Sequence, residues 1–301
     1  MKEIYVNPTD RLSDIFSTCE PHTRIILPEG TFHEKLEINT PNLEIIGAGS
    51  NKTFIVNGDY AKKIASDGRE FNTFRTYTVA VTAPNVTIRN LTVENDARHP
   101  EVLGQEVALT VYADNFLAED AAFISTQDTI FCGPLPEDLI KRYKGFLSDG
   151  LRTSGSQKQI FKRCLVAGTV DFIFGCGDTL FDDCEIRSLN DARGHGYIAA
   201  PSHSSEQNIG TVFSNCRLTC EAGVADGSIF LARPWRDYGK TSFINCVMGT
   251  HIAAEGFNKW GNTHRNETAR FAEYPTKPNG RTEWSKLLSE SEANALLDYF
   301  K

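Results

Sequence analysis

A parallel β-helix is the fold this sequence predicts, on three observations. One phrase recurs along the chain: "FKRCLV" from 161, "FDDCEI" from 181, "FSNCRL" from 213 and "FINCVM" from 243. Short runs of β-branched and aromatic residues fill the intervals, with no linker, low-complexity tract or composition shift between them. A short amphipathic helical segment stands at each end instead. Irregular repeats of about 20 to 30 residues built from short strands describe a chain winding in coils.

The elements follow in order. "DRLSDIFSTC" (10 to 19) reads as a short helix covering the first coil, where strand edges would otherwise stand open. "IRNLTV" from 88 fits the recurring phrase with Leu91 in the cysteine slot, and "AEDAAF" from 118 fits loosely with Ala121 there. Stacked coils turn equivalent positions into ladders, about 4.8 Å apart. Cys164, Cys184, Cys216 and Cys246 then form a row of small buried apolar residues, which is how free cysteine usually behaves. That reading uses half of the eight cysteines without a disulfide framework. "TEWSKLLSESEANALLDYFK" (282 to 301) sets Ser289 three residues before Glu292, a capping box, with Leu296, Leu297 and Phe300 on one helical face. Residues 1–301 therefore read as one domain, closed by helices at both ends.

Composition narrows the function. Hydrophobic residues make up 40% and charged residues 23%, as in a soluble globular protein. With 31 basic against 39 acidic residues the net charge is −8, which argues against nucleic-acid or anionic-membrane surfaces. No stretch approaches the ~18 apolar residues of a membrane span. The N-terminus shows no apolar signal segment, so a cytoplasmic location is the expectation.

Three kinds of chemistry can be weighed. The chain contains no G-x-S-x-G, the usual mark of a serine hydrolase. Its seven histidines are scattered, and neither HxxxH nor CxxC occurs, so no metal site is expected. Carboxylates remain. Asp182 and Asp183 followed by "RGHG" with His195 resemble part of the polygalacturonase signature. Yet these acids occupy slots filled by Lys-Arg, Ser-Asn and Ile-Asn in sister coils, and the other polygalacturonase motifs are absent.

A second constellation is ordered and fuller: Gln105 in "GQEVALTV", Gln127 and Asp128 in "QDTIF", Asp171 in "GTVDFIFG", and Arg233 with Trp235 in "LARPW". This set resembles the pectin methylesterase family, carbohydrate esterases with a right-handed parallel β-helix. "RIILPEGTFHEKLEI" and "NLEIIGAG" look like that family's opening coils. The resemblance implies Asp171 as the nucleophile on a methyl-esterified galacturonate. It implies Asp128 as the acid that protonates departing methanol and then activates water. Gln105 and Gln127 would stabilise the oxyanion, and Arg233 would orient the nucleophile. Trp235, Phe174, Phe131 and Val170 would meet the substrate, a methylated galacturonan or oligogalacturonide, with no metal or cofactor. The alternatives on this scaffold are a polygalacturonan hydrolase or lyase, or a pectin-binding relative without activity.

The residues support these roles independently. Two close carboxylates do not ionise equally, and a guanidinium beside one favours its charged form. Neutral amides stabilise an oxyanion without a permanent charge in the pocket, each worth ~3 kcal/mol. Departures from the family pattern are Ala232 for a usual glycine, Phe131 for a common tyrosine, and a longer separation of Asp128 from Asp171. The extra segment, "GPLPEDLIKRYKGFLSDGLRTS", carries Lys141, Arg142 and Lys144. A long insert beside a site is more often functional than decorative. It leaves preference for polymer or oligomer open, and its basic tip could close over a uronate.

Overall fold

The computed structural model describes residues 1–98 and 100–301. Its strands stack into three parallel sheets of eleven, seven and eight strands, visited in turn by successive coils of a right-handed parallel β-helix. The eleven-stranded sheet runs from Lys2–Tyr5 to Lys286–Leu287, one ladder along nearly the whole chain.

The recurring phrase makes one corner of each coil. Asn90, Asp120, Arg163, Asp183, Asn215 and Asn245 all have φ between 50° and 55°. Each directly precedes a ladder residue: Leu91, Ala121, Cys164, Cys184, Cys216 or Cys246. One left-handed residue turns the chain from the eleven-stranded into the eight-stranded sheet. Asn and Asp tolerate that conformation best, and five of the six are Asn or Asp. Asp183 is such a corner residue, so the "FDDC" acids belong to the coil geometry.

Inside the corner, the phenylalanines of the phrase stack face to face. Ring centroids lie 4.6 Å apart for Phe161–Phe181, 5.1 Å for Phe181–Phe213 and 4.5 Å for Phe213–Phe243, with planes within 13° of parallel. All eight cysteines are free thiols. Cys164, Cys184 and Cys216 are buried and Cys246 is half-buried, with the Cys216 thiol donating to the Phe181 carbonyl at 3.3 Å.

The N-terminal helix, Leu12–Thr18, buries Leu12 and Phe16 against the first coils. The Glu34 carboxylate accepts from the Leu12 and Ser13 N–H groups at 2.6 and 3.0 Å, satisfying the open helix end. The C-terminal helix, Glu290–Asp298, has its capping box at Ser289 and Glu292. Its position differs from a lid. Ala293 and Leu296 pack with Leu180, Val212 and Ile244 along the outside of the eleven-stranded sheet. The Lys286–Leu287 strand extends that sheet first, so the chain then runs back over its apolar outer face. Trp284 covers the last coil instead, 5.5 Å from Phe271 and 6.1 Å from Phe257. No described helix is long and apolar enough to cross a membrane.

The segment between the Ile130–Cys132 and Lys158–Lys162 strands folds into a helix, Glu137–Arg142, and a 3-10 turn, Asp149–Leu151. Leu139, Leu147 and Leu151 are buried against the outer face of the seven-stranded sheet. The insert is a packed wall, and Lys141, Arg142 and Lys144 are exposed on it. Lys141 pairs with Glu137 at 2.8 Å in solvent.

Candidate active site

The seven-stranded sheet gathers the predicted residues. Ile130 pairs with Ile173 in register, so two residues earlier Asp128 lies opposite Asp171 on the neighbouring strand. The Asp128 N–H donates to the Val170 carbonyl at 3.1 Å. On the other side of the Val170–Gly175 strand the register slips: Val170 faces Tyr197 while Ile173 faces Ala199. One extra residue is accommodated there, a β-bulge, which re-aims a side chain. Asp171 sits in it at φ 51°, and Asp128 is left-handed too at φ 67°. Such conformations persist where the surrounding structure over-determines them, and cluster at functional sites. Gly175 ends the strand with φ 132°, where a Cβ would stand 2.0 Å from the Cys132 carbonyl oxygen. That explains the glycine closing "DFIFG".

Arg233 follows the Ile229–Ala232 strand and grips Asp171 with both prongs. Its Nε donates to Oδ1 at 2.8 Å and its Nη2 to Oδ2 at 2.6 Å. The guanidinium lies over the Tyr197 ring at 3.9 Å and the Trp260 ring at 4.0 Å. Two aromatic faces and a bidentate bond leave the arginine little freedom.

Both acids are only 7% exposed. Burial pushes the Asp128 carboxyl well above the usual range, and the neighbouring Asp171 charge pushes the same way. Burial raises Asp171 as well, but the Arg233 guanidinium pulls against it. The pair therefore separates, with Asp128 keeping its proton beyond the pH at which Asp171 ionises. One carboxyl that holds its proton longer and one cation-paired carboxylate result.

Gln127 and Gln105 stand at the same edge. The Glu106 N–H donates to the Gln127 carbonyl at 3.0 Å, which puts Gln105 one coil away. Gln127 is held by a residue the motif reading passed over. Arg193 Nη1 donates to the Gln127 Oε1 at 2.8 Å, and Nη2 donates to the Thr169 hydroxyl at 2.9 Å. Asp191 accepts from the Arg193 Nε at 2.9 Å. With its oxygen engaged, the amide of Gln127 turns Nε2 toward the Asp128 carboxyl. Arg193 precedes the "GHG" weighed above, so a signal lay beside it. Tyr197 directly follows the same motif, while Trp260 had no such signal.

The expected substrate contacts are placed unequally. Trp235 is half-buried, 5.7 Å from Phe174. Phe174 and Val170 are each 4% exposed, and Phe131 is fully buried. Phe74, from the segment before the Val79–Val81 strand, lies 5.1 Å from Phe131, 6.3 Å from Phe174 and 6.4 Å from Trp235. It covers much of the surface the aromatics would offer.

A parallel β-helix with an arginine-held carboxylate beside a second buried acid and neighbouring amides is the setting of a carboxylic ester hydrolase. The comparisons give the family. The pectinesterase model matches residues 9–134 and 143–295, and the chain belongs to the pectinesterase family. The unmatched 135–142 fall within the insert. Pectinesterase QRT1 of Arabidopsis thaliana is 29% identical over 286 residues, covering 91% of this chain and 68% of that protein. Pectinesterase 31 of the same plant is 32% identical over 227 residues, covering 73% and 62%. Among solved structures, pectin methylesterase PemA from Erwinia chrysanthemi superposes with a TM-score of 0.79 at 26% identity, covering 97% of this chain and 94% of that one. A pectin methylesterase in complex with a hexasaccharide matches with the same TM-score and identity, over 95% and 90%.

Proposed function

We propose that the whole chain acts as one catalytic unit that hydrolyses methyl esters of galacturonate, and that Asp171 is its nucleophile. The observation that carries this reading is the bidentate Arg233–Asp171 pair beside the acid Asp128. A carboxylate held at both oxygens by a cation stays ionised and aligned, while its neighbour holds the proton that methanol needs.

An Asp171 oxygen attacks the ester carbonyl carbon, and the π electrons move onto the carbonyl oxygen. Gln127 Nε2, aimed by Arg193, and the Gln105 amide donate to that oxyanion. Collapse breaks the bond to the methoxyl oxygen, which takes the Asp128 proton and leaves as methanol. The product is a mixed anhydride between galacturonate and Asp171. Asp128, now a carboxylate, removes a proton from water as the water oxygen attacks the anhydride. Galacturonic acid departs and both aspartates return to their starting states. Support for a galacturonan substrate comes from the family and from the hexasaccharide held by a relative of the same fold.

Methanol release from methylated galacturonan and methylated oligogalacturonides tests the reaction. It should proceed without new reducing or unsaturated ends; those would indicate a hydrolase or lyase instead. The Asp171→Asn protein should bind but release almost no methanol.

A further inference from the structure

The outer face of the seven-stranded sheet runs along the helix axis past the two acids, and a polymer bound through an internal residue must continue along it in both directions. On the side of the earlier coils this face is covered. Ala80, Thr110 and Phe131 point outward from successive strands on that side, up to the strand that follows Asp128, yet each is 2% exposed or less; Phe174 and Ala200 continue the same row on the strand of Asp171 and the one after it, at 4% and 2%. The three strands up to the one that follows Asp128 take two steps of about 4.8 Å, so roughly 10 Å of the face on that side is occupied by the protein itself.

Two segments from opposite edges of the sheet make the cover, and they are joined. From one edge comes Asn72–Arg75, with Phe74 laid on the aromatics beside Asp171. From the other comes the insert. The Tyr143 hydroxyl donates to the Asn72 side-chain oxygen at 3.1 Å, and the two rings of Phe74 and Tyr143 lie 5.5 Å apart. The Arg75 Nε donates to the Phe146 carbonyl at 3.1 Å while the guanidinium lies 3.7 Å from the Phe146 ring centroid. Asp138 of the insert accepts from Arg236 at 2.9 Å, tying the same wall to the residue after Trp235. The junction contains buried aromatics, a stacked cation and hydrogen bonds to backbone, which belong to a packed structure and not to a loop lying loosely over a cleft.

On the other flank the surface stays accessible. His195 is exposed, Trp260 is half-buried over the Arg233 guanidinium, and Phe230 is half-buried against the Tyr197 ring.

We infer that the groove is dead-ended beside the acids, so that the enzyme takes methylated galacturonate at the end of a chain or in a short oligomer, and not within a polymer. This rests on the esterase reading above. A sugar bearing the scissile ester fits at the wall with its chain leading out along the open flank. A sugar joined on both sides meets Phe74 and Tyr143.

The test compares methylated trigalacturonate with highly methylated pectin at equal ester concentration, measuring methanol. The expected result is a kcat/KM per ester at least about tenfold higher on the trimer, with methanol from pectin levelling off early and rising again when the pectin is first cut into short pieces. Phe74→Ala and Tyr143→Ala, each checked for an unchanged circular-dichroism spectrum, should narrow the difference between trimer and polymer at least threefold. Equal or faster turnover of intact pectin by the wild-type protein overturns the inference and leaves the esterase reading standing. So does a difference that neither folded variant narrows. If both variants misfold, the wild-type ratio decides alone. No methanol from either substrate overturns the esterase reading, and the inference with it.

Discussion

Asp171 and Asp128 carry the same functional group on adjacent strands, and their surroundings divide the work between them. Arg233 reaches Asp171 with two hydrogen bonds, whereas Asp128 has burial and a neighbouring negative charge acting on it. The pH profile of kcat/KM should therefore be a bell. Its acid limb is set by Asp171, above the ordinary carboxylate range, and its alkaline limb by Asp128, higher still. Asp171 must lose a proton and Asp128 must keep one, so activity rises through the first and falls through the second. Arg233→Ala removes the cation that opposes burial at Asp171, so its acid limb should move to higher pH. An unmoved limb in a steady-state pH series would show that another group titrates there. Asp171→Asn should lower kcat at least about 100-fold with an unchanged fold, a loss near 2.7 kcal/mol in transition-state stabilisation. Arg193 acts through Gln127, and its removal should reduce kcat about tenfold with KM little altered. In a Gln127→Ala background the same Arg193→Ala change should add almost nothing, because the amide it orients is gone.

The insert belongs with the elements that shape the groove. Its basic tip suggested a cover that closes electrostatically over a uronate, but Leu139, Leu147 and Leu151 are buried and Lys141 is engaged with Glu137 in solvent. Exposed pairs of this kind contribute little to stability or binding. Replacing Lys141, Arg142 and Lys144 together by Ala should thus leave kcat/KM for short oligomers within about twofold. Leu147→Ala empties a buried site and should cost about 2–5 kcal/mol locally, read as faster proteolytic cutting within 134–155. The phenylalanine column gives a corresponding test in the coils. Phe213 stacks on Phe181 and on Phe243, so Phe213→Ala should cost about 3–5 kcal/mol. Denaturant unfolding measures it directly.

Across the whole molecule the cysteines report on how the coils are held. Cys164, Cys184 and Cys216 are buried free thiols while Cys220 is exposed. A native-state thiol titration should find Cys220 fast and those three silent until the protein unfolds. Reductant should leave the melting temperature unchanged, since no covalent link contributes to it; a clear drop would mean that disulfides form in solution.

Much of this architecture could be read along the chain because a β-helix repeats its constraints. The Phe-x-x-Cys phrase marks a corner in four coils: the aromatic must stack, one residue must turn left-handed, and the next must be small enough for the ladder. Asp171, Asp128, Gln105, Gln127 and Arg233 were legible as an ordered set of motifs resembling the pectin methylesterase family, and coil stacking gave the reason the two acids should lie close. What could not be read there depends on segments that leave the coils and meet in space. Arg193 reaches Gln127 across 66 positions of sequence, Trp260 covers Arg233 from beyond the last strand of the site sheet, and Phe74 and Tyr143 close the groove from opposite edges. The C-terminal helix shows the same limit, because its amphipathic pattern specified an apolar face without specifying which surface would bury it. Periodicity encodes contacts between neighbouring coils, while contacts between loops depend on shape and on the free energy of burial, which appear only once the coils are stacked.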